Sequence, residues 1–524
     1  MDKFSFSKLL QNHQESSQPT EAVITGKIPD WVSGTLLRNG PGLFNIGDDQ
    51  FQHVFDGMAL IQRFHIQNGK MFYSSKFLRS NAYKRNTAAK RIVISEFGTV
   101  SFPDPCKSIF NRYFSYYFPS SRDGKEVTDN ALVNIMQSGD QVYALTETPW
   151  LSKIDPETLE LTDQVNVHKM FAVNTFTAHP HCDRQGNIFN MGVGNRTYNI
   201  VKIPPPTSEE SGFAKAEIVM TVPHSVTLKP SYYHSFGMTE NYAILPEMPL
   251  RMAVWKLLGS RFIGWSFRDC LEWTPGDKVK IHLANLHTKK QLEQVYTTDA
   301  FFTFHHVNAF EEDNCIVMDV AAYKDASLID FITVEQLRAC QTPPDCANSC
   351  LWRLIIPLEI PSESKVGDDL LQLHKFKTNA KAVLQEDGSV HLLHDQISDQ
   401  PFELPRINYE HCNGSKYRFV YGTDIMSTGD RPAIVKLDTE RRTCLSWQKD
   451  HDQQSAGEPV FVAKPGATEE DDGVLLVPVS DVKDEEADFL LFLDAKTLQE
   501  MARAQVSASI PFGFHAHYMT AKVE

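Results

Sequence analysis

Four short stretches carry histidine among aromatic or small residues: "FTAHPHC" (His179, His181), "SYYHSFGM" (His234), "TFHHVNAF" (His305, His306) and "PFGFHAHYM" (His515, His517). One such histidine, taken alone, is most economically a hydrogen-bonded core residue, because histidine is intermediate in its tendency to be buried. Four loci in strand-like runs open a second reading, in which imidazoles from different strands converge on one metal ion. Imidazole suits iron, zinc and copper, and an all-nitrogen donor set with open positions can bind and activate a small molecule. Metal-bound histidines usually hand their other ring N–H to a carboxylate, which fixes tautomer and orientation. Glu147 in "LTETPW", Glu403 in "FELPRINY" and Glu458 in "GEPVFV" are candidates. Each is an isolated acid between apolar or small residues, where an unpaired carboxylate is costly to bury. The alternative for each is a strand end in water.

Such residues need elements to bring them together. Runs rich in Val, Ile, Phe and Tyr recur between turn signals, as in "KRIVISEFGTV", "NCIVMDVAAY", "GVLLVPVSD" and "DFLLFLDAKTLQE", the mark of an all-β protein. "LSKIDPETLELTDQV" and "FLFLDAKTLQEMARA" both place an Asp-x-x-Thr-Leu bend between two strands. Helical pattern is confined to insertions such as "LIDFITVEQLRACQ" and "PLRMAVWKLLGSRFIGWSF", and no Gly/Ser linker divides the chain. A single closed β-propeller is the architecture that reaches this length. The intervals from His179 to His234 and from His234 to His306 are each close to one blade, and that from His306 to His515 is close to three. Histidines recurring at blade intervals can all face one central axis.

The 524 residues are 42% hydrophobic and 22% charged, with a net charge of −15, which fits a large core and excludes general attraction to nucleic acid or anionic membranes. The nine cysteines are odd in number and form no CxxC pair. With a polar N-terminal stretch, "MDKFSFSKLLQNHQESSQ", this favours reduced thiols and a cytoplasmic location. Cys340, Cys346 and Cys350 lack zinc-finger spacing, "GVGNRT" lacks a P-loop lysine, and neither HExxH nor GxSxG occurs. "FPDPCKSIFNRYFSYYFPSS" pairs many aromatics with few cations. It reads either as a packed helix or as a patch, residues 106–120, lying in a membrane interface.

Taken in order, "LLRNGPG", "FDGMAL", "RIVISEFGT", "FPDPCK", "TDNALVN", "TETPWLSKIDPETLE", "TAHPH", "KPSYYHSFG", "FHHVNAFEED", "GEPVFVAKPGATEEDDG" and "LDAKTLQEMARA" resemble the animal carotenoid cleavage oxygenase family. The likeness runs from about residue 22 to 518, which sets one catalytic propeller domain between tails at 1–21 and 519–524. It is greatest to the branch that cleaves β-carotene centrally. The resemblance implies a seven-bladed β-propeller with a helical cap over its top face and a non-haem Fe(2+) on the axis. By motif its ligands are His179, His234, His306 and His515, with His517 a bystander. The same likeness places Glu147, Glu403 and Glu458 behind the ligands, Val133 against the open side of the iron, and Phe97 and Tyr232 in the substrate pocket. The implied reaction is O₂-dependent cleavage of the 15,15′ double bond of β-carotene to retinal. Eccentric 9′,10′ cleavage or retinyl ester isomerohydrolysis on the same scaffold are the alternatives, and a non-catalytic carotenoid-binding propeller is a more remote one. Carotenoids or retinoids and O₂ are the expected partners, with peripheral membrane contact through residues 106–120. Three positions depart from the family pattern, Pro149, Met248 and Ala516, and none removes a ligand.

Overall fold

The computed structural model describes residues 6–103, 105–106, 127–341, 343–344, 346, 348–424, 432–483 and 487–521. Almost all regular structure in them is β. The strands Cys315–Tyr323 and Gly473–Asp481 are buried at every position, as expected of near-continuous apolar runs covered on both faces. Both Asp-x-x-Thr-Leu segments are tight hairpins. The Asp155 carboxylate accepts from the Glu157 and Thr158 amides at 2.9 and 2.8 Å, and Asp494 accepts from the Thr497 amide and hydroxyl at 2.8 and 2.7 Å. In each, the Leu that follows takes a left-handed backbone, φ 59° at Leu159 and 57° at Leu498. Such a conformation is uncommon for a residue with a Cβ. Burial of both leucines, 3% and 4% exposed, offsets that cost.

The ring is closed by pairing the two ends of the chain. Gly34–Arg38 lies between Met58–Gln67 and the last strand, Ala516–Thr520, antiparallel to both. Val23–Gly26 adds to Glu500–Gln505 in another sheet. Closure leaves the end strands partnered and fixes the register Arg38↔Ala516. The Asn39 amide donates to the His515 carbonyl and the Phe514 amide to the Asn39 carbonyl, each at 2.9 Å. Here the backbones nearly touch: a Cβ on Gly40 would lie 2.5 Å from the Gly513 Cα and 2.7 Å from the Phe512 oxygen. Gly40→Ala is therefore expected to destabilise the fold by about 1–3 kcal/mol, read as a lower midpoint in denaturant unfolding. A neutral result would show that the closing segment shifts freely.

The expected architecture is corrected on two points. A count of seven blades presumes separate, repeated antiparallel units, but among the described residues the strands fall into nine sheets of two to seven strands. The largest of these joins Tyr296–Thr298 in parallel to Val390–Leu392, a segment that lies in the chain between the third and fourth strands of the next sheet. The fold is accordingly an all-β propeller of unequal sheets, without that regular count. Among the described residues the helices are short, the longest being Val254–Ile263 at ten residues. Residues 6–21, expected to be a tail, pack onto the ring. Leu9 and Leu10 are 2% and 0% exposed, and Ser16–Glu21 pairs with Lys70–Phe77. None of the nine cysteines forms a disulfide. Of the aromatic patch at 106–120, all but Cys106 lies outside the described residues.

Candidate metal centre and substrate cavity

The ends of sheet-edge strands meet at one place. His179 lies between Thr175–Phe176 and His181–Cys182, His234 just precedes Gly237–Met238, His305 is in Phe302–Glu312, and His515 immediately precedes Ala516–Thr520. Their imidazoles converge so that one donor atom from each lies within 4.8 Å of the others. The Nε2 atoms of His179 and His234 are 3.0 Å apart, and those of His305 and His515 are 3.2 Å apart. The His179 ring stands nearly perpendicular to those of His305 and His515, at 77° and 88°.

Three of the four expected ligands are thus in the cluster, and the fourth is its neighbour. His305, not His306, joins His179, His234 and His515. His306 points away, its Nδ1 on the Ser235 hydroxyl at 2.9 Å, and burial, followed by His181 and His305, lowers its pKa to about 3. The cause is a pair of register shifts in Phe302–Glu312, on either side of His306, because a bulge breaks the strict alternation of side chains. His181 Nε2 donates to the Phe236 carbonyl at 2.9 Å, and its Nδ1 bonds the Tyr409 hydroxyl at 3.3 Å. His517 bonds Gln137 at 3.0 Å. Neither belongs to the cluster.

All three candidate glutamates stand behind these rings. His234 Nδ1 donates to Glu147, His305 Nδ1 to Glu403 at 2.5 Å, and His515 Nδ1 to Glu458 at 2.8 Å. A carboxylate on Nδ1 fixes the tautomer that leaves the Nε2 lone pair free for a cation. Further donors hold the acids in turn. The Tyr232 hydroxyl donates to both Glu147 oxygens at 2.7 and 2.9 Å, and the Tyr323 hydroxyl to Glu403 at 2.7 Å. Arg406 and the Ala516 amide donate to Glu458 at 2.9 and 2.8 Å. At Leu404 the backbone turns left-handed, φ 47°, and its amide returns to the Glu403 carboxylate at 2.8 Å.

The electrostatics follow from this packing. Burial, and then the neighbouring imidazoles, push His179 well below its ordinary pKa. Burial also lowers His234, against the pull of Glu147, and takes His515 to about 4, against Glu458. Burial opposes ionisation of Glu458, yet Arg406 and His515 bring it down to about 2. Glu403 is likewise lowered, by His305 and Tyr323 against burial. These shifts favour neutral His179, His234 and His515 beside ionised Glu403 and Glu458, the forms a metal ion needs. Two imidazole nitrogens bound side by side at about 2.0–2.1 Å from one cation lie roughly 3 Å apart, matching both short Nε2 pairs. The donor set fits a transition-metal ion.

A cavity of about 1070 Å³ opens on this cluster and is lined by His234, His305 and His515. It is just above the roughly 300–1,000 Å³ range of small-molecule sites. Val133, Phe97 and Tyr232 line it, and so does Glu147. The Val133 carbonyl also accepts the His515 amide at 3.3 Å. Phe55 packs against Phe97, Phe304 and Phe514 at centroid distances of 5.5, 6.1 and 5.4 Å, forming an aromatic wall, and Phe304 lies edge-on to His234 at 5.1 Å. Sequence reasoning named the His305–His306 locus but set the ligand at His306, and it missed Tyr323, Arg406 and most of this wall. Only the neighbouring "FHH" pair signalled His305.

A β-propeller with a buried four-imidazole centre under a lipid-sized aromatic cavity is a restricted class of protein, and the sequence comparisons agree with it. Residues 9–520 match the family described as RPE65: Retinal pigment epithelial membrane protein. Beta,beta-carotene 15,15'-dioxygenase of Homo sapiens is 40% identical over 522 residues, covering 97% of this chain and 94% of that protein. Carotenoid-cleaving dioxygenase, mitochondrial, of Mustela putorius furo is 38% identical over 529 residues, covering 98% and 96%. Among solved structures, cobalt-substituted ACO of Synechocystis matches with a TM-score of 0.75 at 22% identity, over 99% of this chain and all of that one, a likeness of fold. The chain belongs to the RPE65/carotenoid oxygenase family.

Proposed function

We propose that this protein is an iron-dependent dioxygenase that cleaves the central 15,15′ double bond of β-carotene with O₂ to give retinal. The observation that carries the reading is the four-histidine cluster, with its three carboxylates, opening into a large aromatic cavity. The 40% identity to a relative named for that reaction supports the choice of substrate. His179, His234, His305 and His515 would hold Fe(2+), with Glu147, Glu403 and Glu458 as their partners. Once bound, ferrous iron would supply the redox chemistry for O₂, and an all-imidazole donor set would leave the iron its full charge.

The chain's own residues do the rest. Glu147, Glu403 and Glu458 keep each Nδ1 proton in place and so hold the rings in their ligating tautomer. Phe55, Phe97, Phe304 and Phe514 exclude water and offer ring faces that favour positive charge developing on a polyene. Tyr232 spans both tasks, since it lines the cavity while its hydroxyl is spent on Glu147. The choice of double bond is one of position. The wall fixes which carbon pair sits beside the metal, and small misplacements cost large factors in rate.

Substrate entry from a membrane surface is part of the proposal. On the helix Val254–Ile263, Val254, Leu257 and Leu258 line the cavity, while Trp255, Leu258 and Ile263 are 57%, 75% and 59% exposed. Apolar residues that are both cavity wall and outer surface suit a peripheral contact with lipid at the mouth. A cytoplasmic, peripherally bound protein is the location that goes with it.

Chromatography of the products formed from β-carotene by purified, Fe(2+)-loaded protein in detergent under air tests the proposal. Retinal as the only product is the expected result, abolished by a chelator and restored by ferrous iron. Long apocarotenals would move the chain to eccentric cleavage. Retinol released from retinyl ester, with no carotenoid cleaved, would overturn the dioxygenase reading.

A further inference from the structure

One wall of the cavity does not come from the propeller sheets. Phe6, in the segment before the first strand, is 8% exposed and lines the same cavity as His234, His305 and His515. The next residue along the chain to line it is Val54. Leu328, Ile332 and Leu337, from the two short helices Ser327–Phe331 and Val334–Arg338 and the turn between them, are also in the lining. This part of the wall is apolar throughout.

Several bonds fix Phe6 there. Its carbonyl accepts the Leu10 amide at 2.9 Å, and Leu9 and Leu10 are buried in the main core. The Arg338 guanidinium, next in sequence to Leu337, donates to the Leu10 carbonyl at 2.5 Å, and to Gln50 and Asn45 at 2.9 and 3.3 Å. The Ser7 hydroxyl returns to the Arg338 carbonyl at 3.4 Å. The N-terminal segment is thereby clamped to the helix that carries Leu337. A benzyl group held in a cavity wall by interactions outside the cavity sets its width without contributing to the metal centre.

We infer that Phe6 is a specificity-determining residue, the wall that limits how bulky a substrate end group the cavity accepts. The inference rests on reading the cavity as a carotenoid site. A larger side chain would exclude a ring-bearing end before a slender acyclic one, and a smaller side chain would relax that limit. Changes of this size in an apolar pocket alter discrimination by about 10-fold or more.

The test compares β-carotene, with a ring at both ends, and lycopene, acyclic at both ends, so that the direction of entry does not matter. Each is delivered in detergent to the full chain, to Phe6→Trp and to Phe6→Ala, and bound carotenoid is titrated by absorbance of the protein peak. Because both ligands are measured on the same preparation, any loss of folded protein cancels in the ratio of the two dissociation constants. Phe6→Trp is expected to weaken β-carotene relative to lycopene by about 10-fold, and Phe6→Ala to shift the ratio the other way. The same ratio in all three proteins, with binding intact, would overturn the inference alone. No binding of either carotenoid by the unaltered chain would overturn the carotenoid reading and the inference together.

Discussion

Replacing His305 by alanine is expected to strip the centre of iron and abolish carotenoid cleavage, while the same change at His306 leaves the iron bound. The pair is informative because the residues are adjacent and differ only in direction. His305 has its Nε2 3.2 Å from that of His515 and its Nδ1 on Glu403. His306 Nδ1 instead donates to the Ser235 hydroxyl, whose own proton goes to the Phe304 carbonyl at 2.6 Å. Loss of a carboxylate behind a ligand lowers metal affinity by about 10–100-fold, and loss of the ligand itself should exceed that. His306→Ala removes a buried ring and its bond to Ser235, so its cost should appear in stability. Iron content by elemental analysis, measured on folded protein, separates the two. Iron retained in His305→Ala and lost in His306→Ala would reverse the assignment.

The second large effect is expected at Glu458. This carboxylate accepts from His515, Arg406 and the Ala516 amide and is 2% exposed. Glu458→Gln keeps the volume but leaves the Arg406 guanidinium without its counter-charge and His515 without a charged acceptor. Breaking a buried ion pair from one side costs about 3–5 kcal/mol. The lower end applies, because the Arg406 side chain is 26% exposed. Metal affinity should fall by about 10–100-fold as well. The double variant Glu458→Gln, Arg406→Gln distinguishes the two roles. It should recover part of the stability, since no cation remains unpaired, but none of the affinity. Affinity recovered in the double variant would mean that Glu458 acts only to neutralise Arg406.

Much of this centre is legible in the sequence, for reasons that differ by residue. Glu147, Glu403 and Glu458 stand out because a lone acid in an apolar run must find a partner or face water, and each proves to sit on a histidine. Likewise, the Asp-x-x-Thr-Leu bends encode their own hairpins, because the aspartate satisfies the turn amides locally. The choice between His305 and His306 is not local. It depends on two irregularities in pairing with Cys315–Tyr323, which alternation along one strand cannot reveal. Arg406 and Tyr323 escape for a related reason, since their acceptors are brought to them only by the closed ring. The polar stretch around "NHQESSQ" hides the packing role of Phe6, Leu9 and Leu10 just before it. Repeated hairpins suggest equal blades, but the parallel pairing of Tyr296–Thr298 with Val390–Leu392 is a long-range join that no hairpin signal carries.

X-ray absorption at the iron edge of the metal-loaded protein tests the central claim most directly, since it counts the ligands without assuming a reaction. The account predicts one iron with four imidazole donors, from His179, His234, His305 and His515, and one imidazole fewer in His305→Ala reconstituted with excess iron. A sulfur donor, or an imidazole count unchanged by His305→Ala, would contradict it.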